Sequence, residues 1–385
     1  MIKIFHLITD LETGGSEMML FKLISFMNLN DFSNVVVSMT DEGTLGNKFK
    51  DLGIPVYTLD MSRGIPSPFA MLRLLRILWE ERPSVLQTWL YHADLLGLLA
   101  GKLAGVPCIL WNLRCSDMDM SHYSRLSSLV MSILARLSSL PQGVIVNSMA
   151  GKRFHEGLGY RPRRWELLPN GFDIERFRPD SESRVIFRRE LGLSEDALLI
   201  GLVARFDPMK DHSTFLQAAG KLVKKLSGTE IHFVLAGRGV DHQNKEIMGM
   251  VKGLNIESNV HLLGERTDIS FITAAFDIAS SSSYTEGFPN VIGEAMACGV
   301  PCVVTDAGDS GILVGDTGKV VPPKDPLALA EALEELVMIG AEGRKALGLA
   351  ARHRIVDNYS LPAIVSKYEE LYRELAQHVR SDRLS

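Results

Sequence analysis

Two glutamates, Glu286 and Glu294, are separated by seven residues in the stretch SSSYTEGFPNVIGEAMACG. Proline is tolerated in the first turn of a helix, where its missing N–H would be unpaired anyway, so we expect a helix from near Pro289 to about Cys298, ended by Gly299. The free N–H groups of its first turn would form an anion site, with one carboxylate before it and one behind it. This layout suits a ligand with hydroxyls on both sides of a phosphate, as in a sugar nucleotide. An acidic residue near a helix start is also common capping chemistry.

Two cations, Arg205 and Lys210, lie five residues apart in LVARFDPMKDH, just after a predicted strand. Arginine binds two oxygens through its planar fork and lysine adds a point charge, so the pair suits a diphosphate; a solvated charged loop is the alternative. Glycine or cationic residues also follow the next two predicted strands, at Gly237 in LAGRGVD and at Arg266 in LLGERTD. Because such strand ends meet at one edge of a parallel sheet, the coincidence favours a binding site there.

The first strand-to-helix turn, TDLETGGSE, contains Gly14 and Gly15. Glycines let backbone N–H groups approach a ligand without interference from a Cβ atom. The turn lacks both the GxGxxG spacing of a dinucleotide site and the GxxxxGK[ST] pattern of a P-loop. It is therefore either a phosphate-binding turn or an ordinary tight turn.

Polar residues at two further strand ends are candidates for chemistry in the first half of the chain. His92, in QTWLYHADLLG, lies where a strand gives way to a helix, and Asn112 and Arg114 follow another strand. His6 lies inside the first predicted strand, where a histidine is more often a core or capping residue. A histidine at a strand end, such as His92, is as well suited to a site as to the core.

Length, charge and cysteine content limit the classes of function that the chain could have. The chain has 385 residues, enough for two to three domains, and a formal net charge of −5, which argues against nucleic-acid binding. The four cysteines form no CxxC pair and no zinc-site pattern, so we expect no metal site and buried free thiols in a reducing compartment. MIKIFHLITD resembles a first strand and lacks the features of a signal peptide, and no apolar run is long enough to span a bilayer. These features predict a cytoplasmic protein.

Apolar runs typical of strands alternate with helical patterns along the chain, which predicts parallel sheets with crossover helices. We expect strands at residues 2–8, 35–39, 56–59, 85–87, 108–111, 144–146 and 166–168, and then at 198–203, 231–235, 260–262, 278–280, 301–304 and 318–321. The polar segment 173–184 is interpreted as a linker. The fold class is therefore α/β, with two doubly wound domains facing a cleft, the default ligand site.

Several segments carry a family resemblance: GGSE, NSMAGKR, PNGFD, VARFDPMKD, LAGRG, HLLGERTDI and EGFPNVIGEAMACGVPCVVTDAGD. They resemble the retaining family-4 glycosyltransferases of the GT-B fold (glycosyl transferases group 1), over nearly the whole chain. The resemblance implies an N-terminal, acceptor-side Rossmann-like domain at residues 1–178 and a C-terminal nucleotide-sugar-binding domain at 184–358. The last helix, within 361–385, is expected to pack back on the first domain.

The resemblance also implies the reaction. A hexosyltransferase-type enzyme would transfer a sugar from a UDP- or GDP-sugar to a glycan or lipid-linked acceptor, with retention at the anomeric carbon and without a required metal or cofactor. Arg205 and Lys210 would hold the donor diphosphate and stabilise the leaving group, Glu286 would contact the sugar hydroxyls, and Glu294 the ribose hydroxyls. The remaining donor-binding positions implied are Gly14, Gly15, Gly237, Arg266, Gly287, Phe288, Pro289 and Asn290.

The sequence departs from the family at one position. Many members carry a histidine after the strand that corresponds to residues 108–111, whereas this chain reads Trp111-Asn112-Leu113-Arg114. Asn112, Arg114 or His92 takes over that polar role, and the sequence leaves the three alternatives open.

Other functions and partners are weighed against this one. A glycoside hydrolase would use a carboxylate pair but gives no role to the two cations, whereas a GT-B sugar-nucleotide epimerase or a non-enzymatic sugar-nucleotide-binding protein would use the same donor pocket.

A possible membrane surface is formed by residues 121–140 and the basic run 161–164, which could contact anionic lipid at the inner face of the plasma membrane. The alternative is an ordinary amphipathic helix with a solvated charge run. The expected setting is cell-surface polysaccharide or glycolipid synthesis.

Overall fold

A computed structural model of the protein describes residues 1–62, 67–114 and 125–382. The chain divides into two compact units. The first contains Met1–Gly171 together with the segment from Leu361 onward, and the second is Phe172–Ser360. The chain therefore enters the second unit after Gly171, earlier than the boundary at residue 178 expected from the sequence.

The first unit is built on a parallel sheet. Its strands are β1 (Ile2–Ile8), β2 (Phe32–Ser38), β3 (Val56–Thr58), β4 (Val85–Trp89), β5 (Cys108–Leu113), β6 (Gly143–Val146) and β7 (Trp165–Leu167). Within the described residues these strands form one sheet in the order β3-β2-β1-β4-β5-β6-β7. The order reverses between β1 and β4, so the loops that follow these two strands flank the switch point where such sheets bind ligands.

Helices cover both faces of this sheet. They are α1 (Gly15–Phe26), α2 (Gly46–Asp51), α3 (Pro68–Glu81), α4 (Tyr91–Leu103), α5 (Arg125–Leu137) and α6 (Met149–Gly157). Ile4 packs in the cluster that contains α1 and α2 residues, and its neighbour Phe5 packs in the cluster that contains α3 and α4 residues. Successive side chains of a strand point to opposite faces, which explains why β1 is apolar along almost its whole length.

The second unit repeats this architecture. Its strands are β8 (Leu198–Val203), β9 (Ile231–Ala236), β10 (Val260–Leu262), β11 (Ile278–Ser281), β12 (Cys302–Thr305) and β13 (Gly318–Val321). They pair in parallel in the order β10-β9-β8-β11-β12-β13. Here the switch point lies between β8 and β11, which are followed by the segments that carry Arg205 and Glu286.

The helices of the second unit are α7 (Ser181–Glu190), α8 (His212–Lys225), α9 (Lys245–Leu254), α10 (Ile269–Ala274), α11 (Asn290–Ala297), α12 (Ser310–Val314), α13 (Pro326–Met338) and α14 (Gly340–Tyr359). A final helix, α15 (Leu361–Asp382), belongs to the first unit and packs against α1, β1 and β5. The Tyr372 hydroxyl of α15 donates a 2.6 Å hydrogen bond to Gln87 Oε1 of β4 inside the core.

The structure confirms the α/β fold class and the strand positions to within a few residues, and it corrects two details. The segment 173–184, interpreted as a linker, contains the start of α7, because Asp180 caps this helix by accepting hydrogen bonds from Glu182 N and Ser183 N at 3.0 and 3.1 Å. The helix expected from near Pro289 begins at Asn290, with Pro289 as the extended cap residue before it. Gly299 adopts φ +73° just after the helix, as a C-terminal stop requires.

Candidate donor-binding and catalytic sites

The loops after β8, β9 and β10 are tied to one another at the carboxyl edge of the second sheet. Phe206 N donates to Arg238 O at 2.8 Å, and Gly237 N donates to Gly264 O at 2.8 Å. Gly237 has φ +152°, and a Cβ atom there would lie 2.1 Å from Ala204 O. Glycine is required at this position because the neighbouring loop passes against its Cα atom. The edge predicted from strand-end glycines and cations is thus one connected backbone surface.

Arg205 and Lys210 both lie in the loop that follows β8. The Arg205 guanidinium donates from Nε and Nη2 to Asp207 Oδ2, at 3.0 and 2.9 Å. Lys210 ends a short 3-10 turn, Pro208–Lys210, whose start is capped by Asp207 Oδ1 accepting from Met209 N at 3.0 Å. Burial acts to raise the pKa of Asp207, but these hydrogen bonds and the nearby cations outweigh it, so the pKa is lowered.

Glu286 lies directly opposite Lys210. The Lys210 ammonium donates to Glu286 Oε1, which also accepts from Ser283 Oγ at 2.8 Å. Both charged side chains are mostly buried, with 20% of Lys210 and 13% of Glu286 exposed. The two loops are further joined because Ser282 Oγ donates to Lys210 O at 2.8 Å and Tyr284 N donates to Met209 O at 3.1 Å. The loops after β8 and β11 therefore form one site, across the switch point of the sheet.

The backbone after Glu286 is held by the segment that precedes α12. Asp309 N donates to Gly287 O at 3.0 Å, and Gly308, with φ +60°, passes so close that a Cβ atom would lie 2.2 Å from Glu286 O. Phe288 is buried and stacks on Phe172 with ring centroids 6.0 Å apart. These contacts fix the loop, which leads directly into the first turn of α11.

The remaining predicted donor-binding residues differ in their surroundings. Asn290 is exposed at the start of α11, Pro289 is buried, and Glu294 is half-buried on the second turn of that helix. Arg266 donates from Nε and Nη2 to Asp268 at 2.8 and 2.6 Å and from Nη1 to Glu190 at 3.1 Å. These hydrogen bonds raise its pKa. Its guanidinium thus already has two carboxylate partners within the second unit.

The glycine turn of the first unit lies at the start of α1. Gly14 is the N-cap residue, and Gly15, the first residue of the helix, is exposed, with no atom within 4 Å of the point where a Cβ atom would lie. Glu17 folds back under the turn, where it accepts from Ser16 Oγ at 3.0 Å and would lie 2.2 Å from a Cβ atom on Gly14. Burial raises the pKa of Glu17. Gly14 therefore makes room for the Glu17 carboxylate, while Gly15 leaves open space above the helix start.

His92 lies in the first turn of α4, after a strained residue. Leu90, the N-cap of this helix, has φ +73° and ψ 157°, a region that almost only glycine adopts. Strain of this kind costs about 1–3 kcal/mol and is often found at functional sites. Burial lowers the pKa of His92, which keeps its imidazole neutral at physiological pH. Gly14, Gly15 and His92 follow β1 and β4, the two strands at the switch point of the first sheet.

Asn112 and Arg114 are engaged by other parts of the first unit. Asn112 is fully buried and donates from Nδ2 to Tyr368 Oη of α15 at 3.3 Å. Arg114 donates from Nη2 to Asn170 Oδ1 at 2.6 Å and from Nη1 to Leu168 O at 3.4 Å, and its guanidinium lies 5.5 Å from the centroid of the Trp89 ring. Both side chains thus connect the end of β5 to the segments where the chain leaves and re-enters this unit.

The histidine of the first strand and the cysteines have simpler surroundings. His6 is a core residue, fully buried and hydrogen-bonded to Asn34 Oδ1 at 3.0 Å. Cys108, Cys298 and Cys302 are buried free thiols, and Cys115 lies outside the described residues. No group of histidine, cysteine, aspartate or glutamate side chains in the described part of the chain is arranged to hold a metal ion.

The sequence reasoning missed several residues that shape the site: Asp207, Ser283, Gly308, Glu17 and Leu90. The Asp-Pro pair before Lys210 was a readable signal, because Asp before Pro is a typical helix-start pattern. No comparable sequence pattern indicates the close approach of Gly308 to Glu286 O or the strained backbone at Leu90.

Two α/β units, each built on a parallel sheet with polar groups at its switch point, and a cation–carboxylate pair in the second fit the GT-B class of glycosyltransferases. Family models match both halves, "Glycosyltransferase Family 4" over residues 13–176 and "Glycosyl transferases group 1" over residues 197–338. The chain belongs to the family-4 glycosyltransferases of the GT-B fold.

Relatives of known activity support this placement. The chain is 24% identical over 317 residues, 80% of its length and 79% of the relative's, to UDP-Gal:alpha-D-GlcNAc-diphosphoundecaprenol alpha-1,3-galactosyltransferase of Escherichia coli. It is 27% identical, over 77% of its length and 79% of the relative's, to N,N'-diacetylbacillosaminyl-diphospho-undecaprenol alpha-1,3-N-acetylgalactosaminyltransferase of Campylobacter jejuni. The crystal structure of HepE from Anabaena in complex with UDP aligns with a TM-score of 0.83 at 23% identity, over 97% of this chain and all of that one.

Proposed function

We propose that this glycosyltransferase transfers a hexosyl group from a UDP- or GDP-sugar, with retention at the anomeric carbon, to a glycan or lipid-linked acceptor. The observation that carries the proposal is the Lys210–Glu286 pair at the switch point of the second sheet, with Arg205 in the same loop. A relative named for UDP-Gal transfer and a neighbour crystallised with UDP support a nucleotide-diphosphate donor.

In this proposal the second unit holds the donor. Arg205 and Lys210 bind the diphosphate and stabilise the negative charge that accumulates on it as the glycosidic bond breaks. Glu286 accepts hydrogen bonds from sugar hydroxyls, and Glu294 from the ribose. The start of α11 adds N–H groups for the phosphate or sugar, and the connected loop surface at Gly237 is the place for the base.

Retention has two possible routes. The acceptor attacks from the face that the leaving diphosphate occupies, or a nucleophile of the protein first attacks the opposite face and is then displaced by the acceptor. Protein cations at the diphosphate supply the charge stabilisation that a metal supplies in other enzymes, so the proposal includes no required metal. We favour front-face attack, in which the leaving phosphate oxygen accepts the acceptor's proton as the new glycosidic bond forms. His92, at the switch point of the first sheet, is proposed for the acceptor side, and Gly14 and Gly15 at the same switch point are proposed to bind the donor.

The direct test is a panel of UDP- and GDP-sugars, screened by calorimetry for saturable binding and then for transfer. We expect Lys210→Ala and Glu286→Ala each to abolish turnover and to leave the fold intact by circular dichroism. Near-normal turnover in either purified variant would contradict the assignment.

Product analysis separates the proposal from its nearest alternatives. An epimerase changes the sugar nucleotide without an acceptor, and a non-enzymatic binding protein retains it unchanged with every acceptor. Retention is read from the anomeric configuration of the product by NMR, and a product of inverted configuration would refute that part of the proposal.

We propose a setting in cell-surface polysaccharide or glycolipid synthesis, which the lipid-linked acceptors in the names of two relatives support. Such an acceptor requires access to the cytoplasmic membrane surface, and we propose peripheral contact there. The described helices include none of the length and hydrophobicity needed to cross a bilayer. Exposed apolar side chains lie on three neighbouring helices of the first unit, α3, α4 and α5: Phe69, Leu72, Trp79, Leu99, Leu103 and Leu129.

The basic run at residues 161–164 is a weaker candidate for this contact. Arg164 forms ion pairs with Glu374 and Glu166, and Arg161 donates to the backbone oxygens of Glu156 and Tyr160. Co-sedimentation with anionic liposomes tests the proposal. Loss of binding in a Leu99→Ser, Leu103→Ser variant would support contact through α4, and no binding by the wild type would remove the idea.

A further inference from the structure

Asp207 lies between the two cations of the site and contacts the elements that carry both. Its Oδ2 accepts two hydrogen bonds from the Arg205 guanidinium, at 3.0 and 2.9 Å. Its Oδ1 accepts from Met209 N at 3.0 Å and so caps the 3-10 turn that ends at Lys210. The two oxygens of one carboxylate therefore have separate partners, one on each side of the loop.

This arrangement leaves part of Arg205 available to a ligand. A guanidinium has five N–H groups, and the Asp207 contact uses one on Nε and one on Nη2. The Nη1 edge of the fork remains for a phosphate oxygen, and 48% of the Arg205 side chain is exposed. A carboxylate that holds the Nε side of the fork fixes the direction in which the opposite edge points.

We propose that Asp207 is a positioning residue for the donor diphosphate, which orients Arg205 through one oxygen and sets the turn of Lys210 through the other. The inference rests on the proposed function, since it assumes that these two cations bind the diphosphate. Asp207 itself does not contact the donor in this proposal. It acts by holding the two cations in the spacing that a diphosphate requires.

The kinetic consequence differs from that of a lost binding contact. Charge accumulates on the diphosphate as the glycosidic bond breaks, so an oriented cation stabilises the transition state more than the bound donor. We therefore expect loss of the contact between Asp207 and Arg205 to lower kcat by a larger factor than it raises the KM for the donor. A charge-assisted hydrogen bond of this kind contributes roughly a tenfold to hundredfold effect on rate.

Two variants disrupt the contact with Arg205 and keep an oxygen that can cap the turn of Lys210. Asp207→Asn keeps an oxygen that can accept from Met209 N but removes the negative charge facing Arg205. Asp207→Ser keeps a short capping oxygen and cannot reach the guanidinium. We expect both to lower kcat at least tenfold with the KM for the donor changed less than threefold, and to weaken the binding of UDP, which carries the full charge of the leaving diphosphate.

The second unit offers a matched control. Asp325 also precedes a proline and caps a helix, accepting from Leu327 N and Ala328 N at 3.0 Å each, and its described hydrogen bonds involve no arginine. Asp325→Asn should reproduce any loss of melting temperature that comes from a weakened Asp-Pro cap, with kcat unchanged.

A double-mutant cycle tests whether Asp207 acts through Arg205. If it does, Asp207→Asn combined with Arg205→Ala should be no slower than Arg205→Ala alone. Multiplicative losses, or a kcat for Asp207→Asn within twofold of wild type, would overturn the inference. Tighter UDP binding with full kcat would also overturn it, because Asp207 would then be an internal competitor for Arg205.

The failure of this inference is distinguishable from that of the proposed function. If wild-type protein binds neither UDP nor GDP, the proposed function fails and the inference fails with it. If wild-type protein binds UDP and transfers sugar, and the Asp207 variants behave like Asp325→Asn, only the role of Asp207 is refuted.

Discussion

A single methyl group on Gly308 should displace the loop that carries Glu286. This glycine has φ +60°, and a Cβ atom there would lie 2.2 Å from Glu286 O and 2.7 Å from Gly287 O. Both oxygens belong to backbone that is also fixed by the hydrogen bond from Asp309 N to Gly287 O. The clash cannot be relieved by rotating a side chain, so Gly308→Ala must move the loop itself.

The size of the effect follows from two separate costs. Alanine with this positive φ costs about 1–2 kcal/mol of stability, whatever surrounds it. Relieving the overlap needs a shift on the order of 1 Å, and a misplacement of that size at a catalytic site lowers the rate about a hundredfold. We therefore expect Gly308→Ala to lose about two orders of magnitude in kcat, more than its loss of stability alone would cause.

Gly192 provides the control, because it has φ +70° in the same unit and no atom lies within 4 Å of a Cβ position there. Gly192→Ala should lose a similar amount of stability in urea unfolding and keep its turnover. Donor turnover and UDP binding measured on both variants decide the matter. If Gly308→Ala turns over within threefold of Gly192→Ala, the loop position is not what the reaction depends on.

Three other features give predictions of their own. Burial lowers the pKa of His6 and of His155 to about 4, so between pH 4 and pH 6.5 the unfolded chain binds more protons than the folded chain. Stability that is present above pH 6.5 should therefore be lost as the pH falls, by about 1.4 kcal/mol per pH unit for each histidine. Urea midpoints that stay constant from pH 6.5 to 4.5 would contradict this. Tyr372→Phe should cost about 1–3 kcal/mol, because it leaves the buried Gln87 Oε1 without its donor, and an unchanged urea midpoint would refute that. Dialysis against EDTA should leave transfer unchanged, since protein cations are proposed to stabilise the diphosphate; loss of activity restored by Mg²⁺ would contradict it.

Strand periodicity and family motifs predicted most of the second unit. Its strands are short apolar runs bounded by turn residues, and its candidate site residues follow those strands directly, so local sequence was enough to propose them. Asp207 was missed although its signal is local, because an aspartate before a proline is a typical helix-start pattern. The Gly308 contact was not predictable, because it depends on the packing of a loop 22 residues away in the sequence against Glu286.

The first unit shows where local sequence reasoning ends. Asn112 and Arg114 were candidates because they follow a strand, yet both contact Tyr368 of α15, which is more than 250 residues away in the chain. That helix returns to the first unit only after the chain has completed the second. The partners of the two side chains therefore depend on the tertiary fold, and no pattern around residue 112 indicates them.

These contacts bear on which first-unit residue replaces the family's histidine. Arg114 links the end of β5 to Asn170 and Tyr368, beside the two points where the chain crosses between units, so a structural role accounts for its position. His92 follows a strand at the switch point of the sheet, stays neutral because burial lowers its pKa, and comes two residues after the strained Leu90. A strained backbone persists only where the surrounding structure holds it, and here it sets the direction of the first turn of α4. Of the three alternatives, Asn112 and Arg114 are engaged by other segments of the first unit, and we favour His92 for the acceptor side.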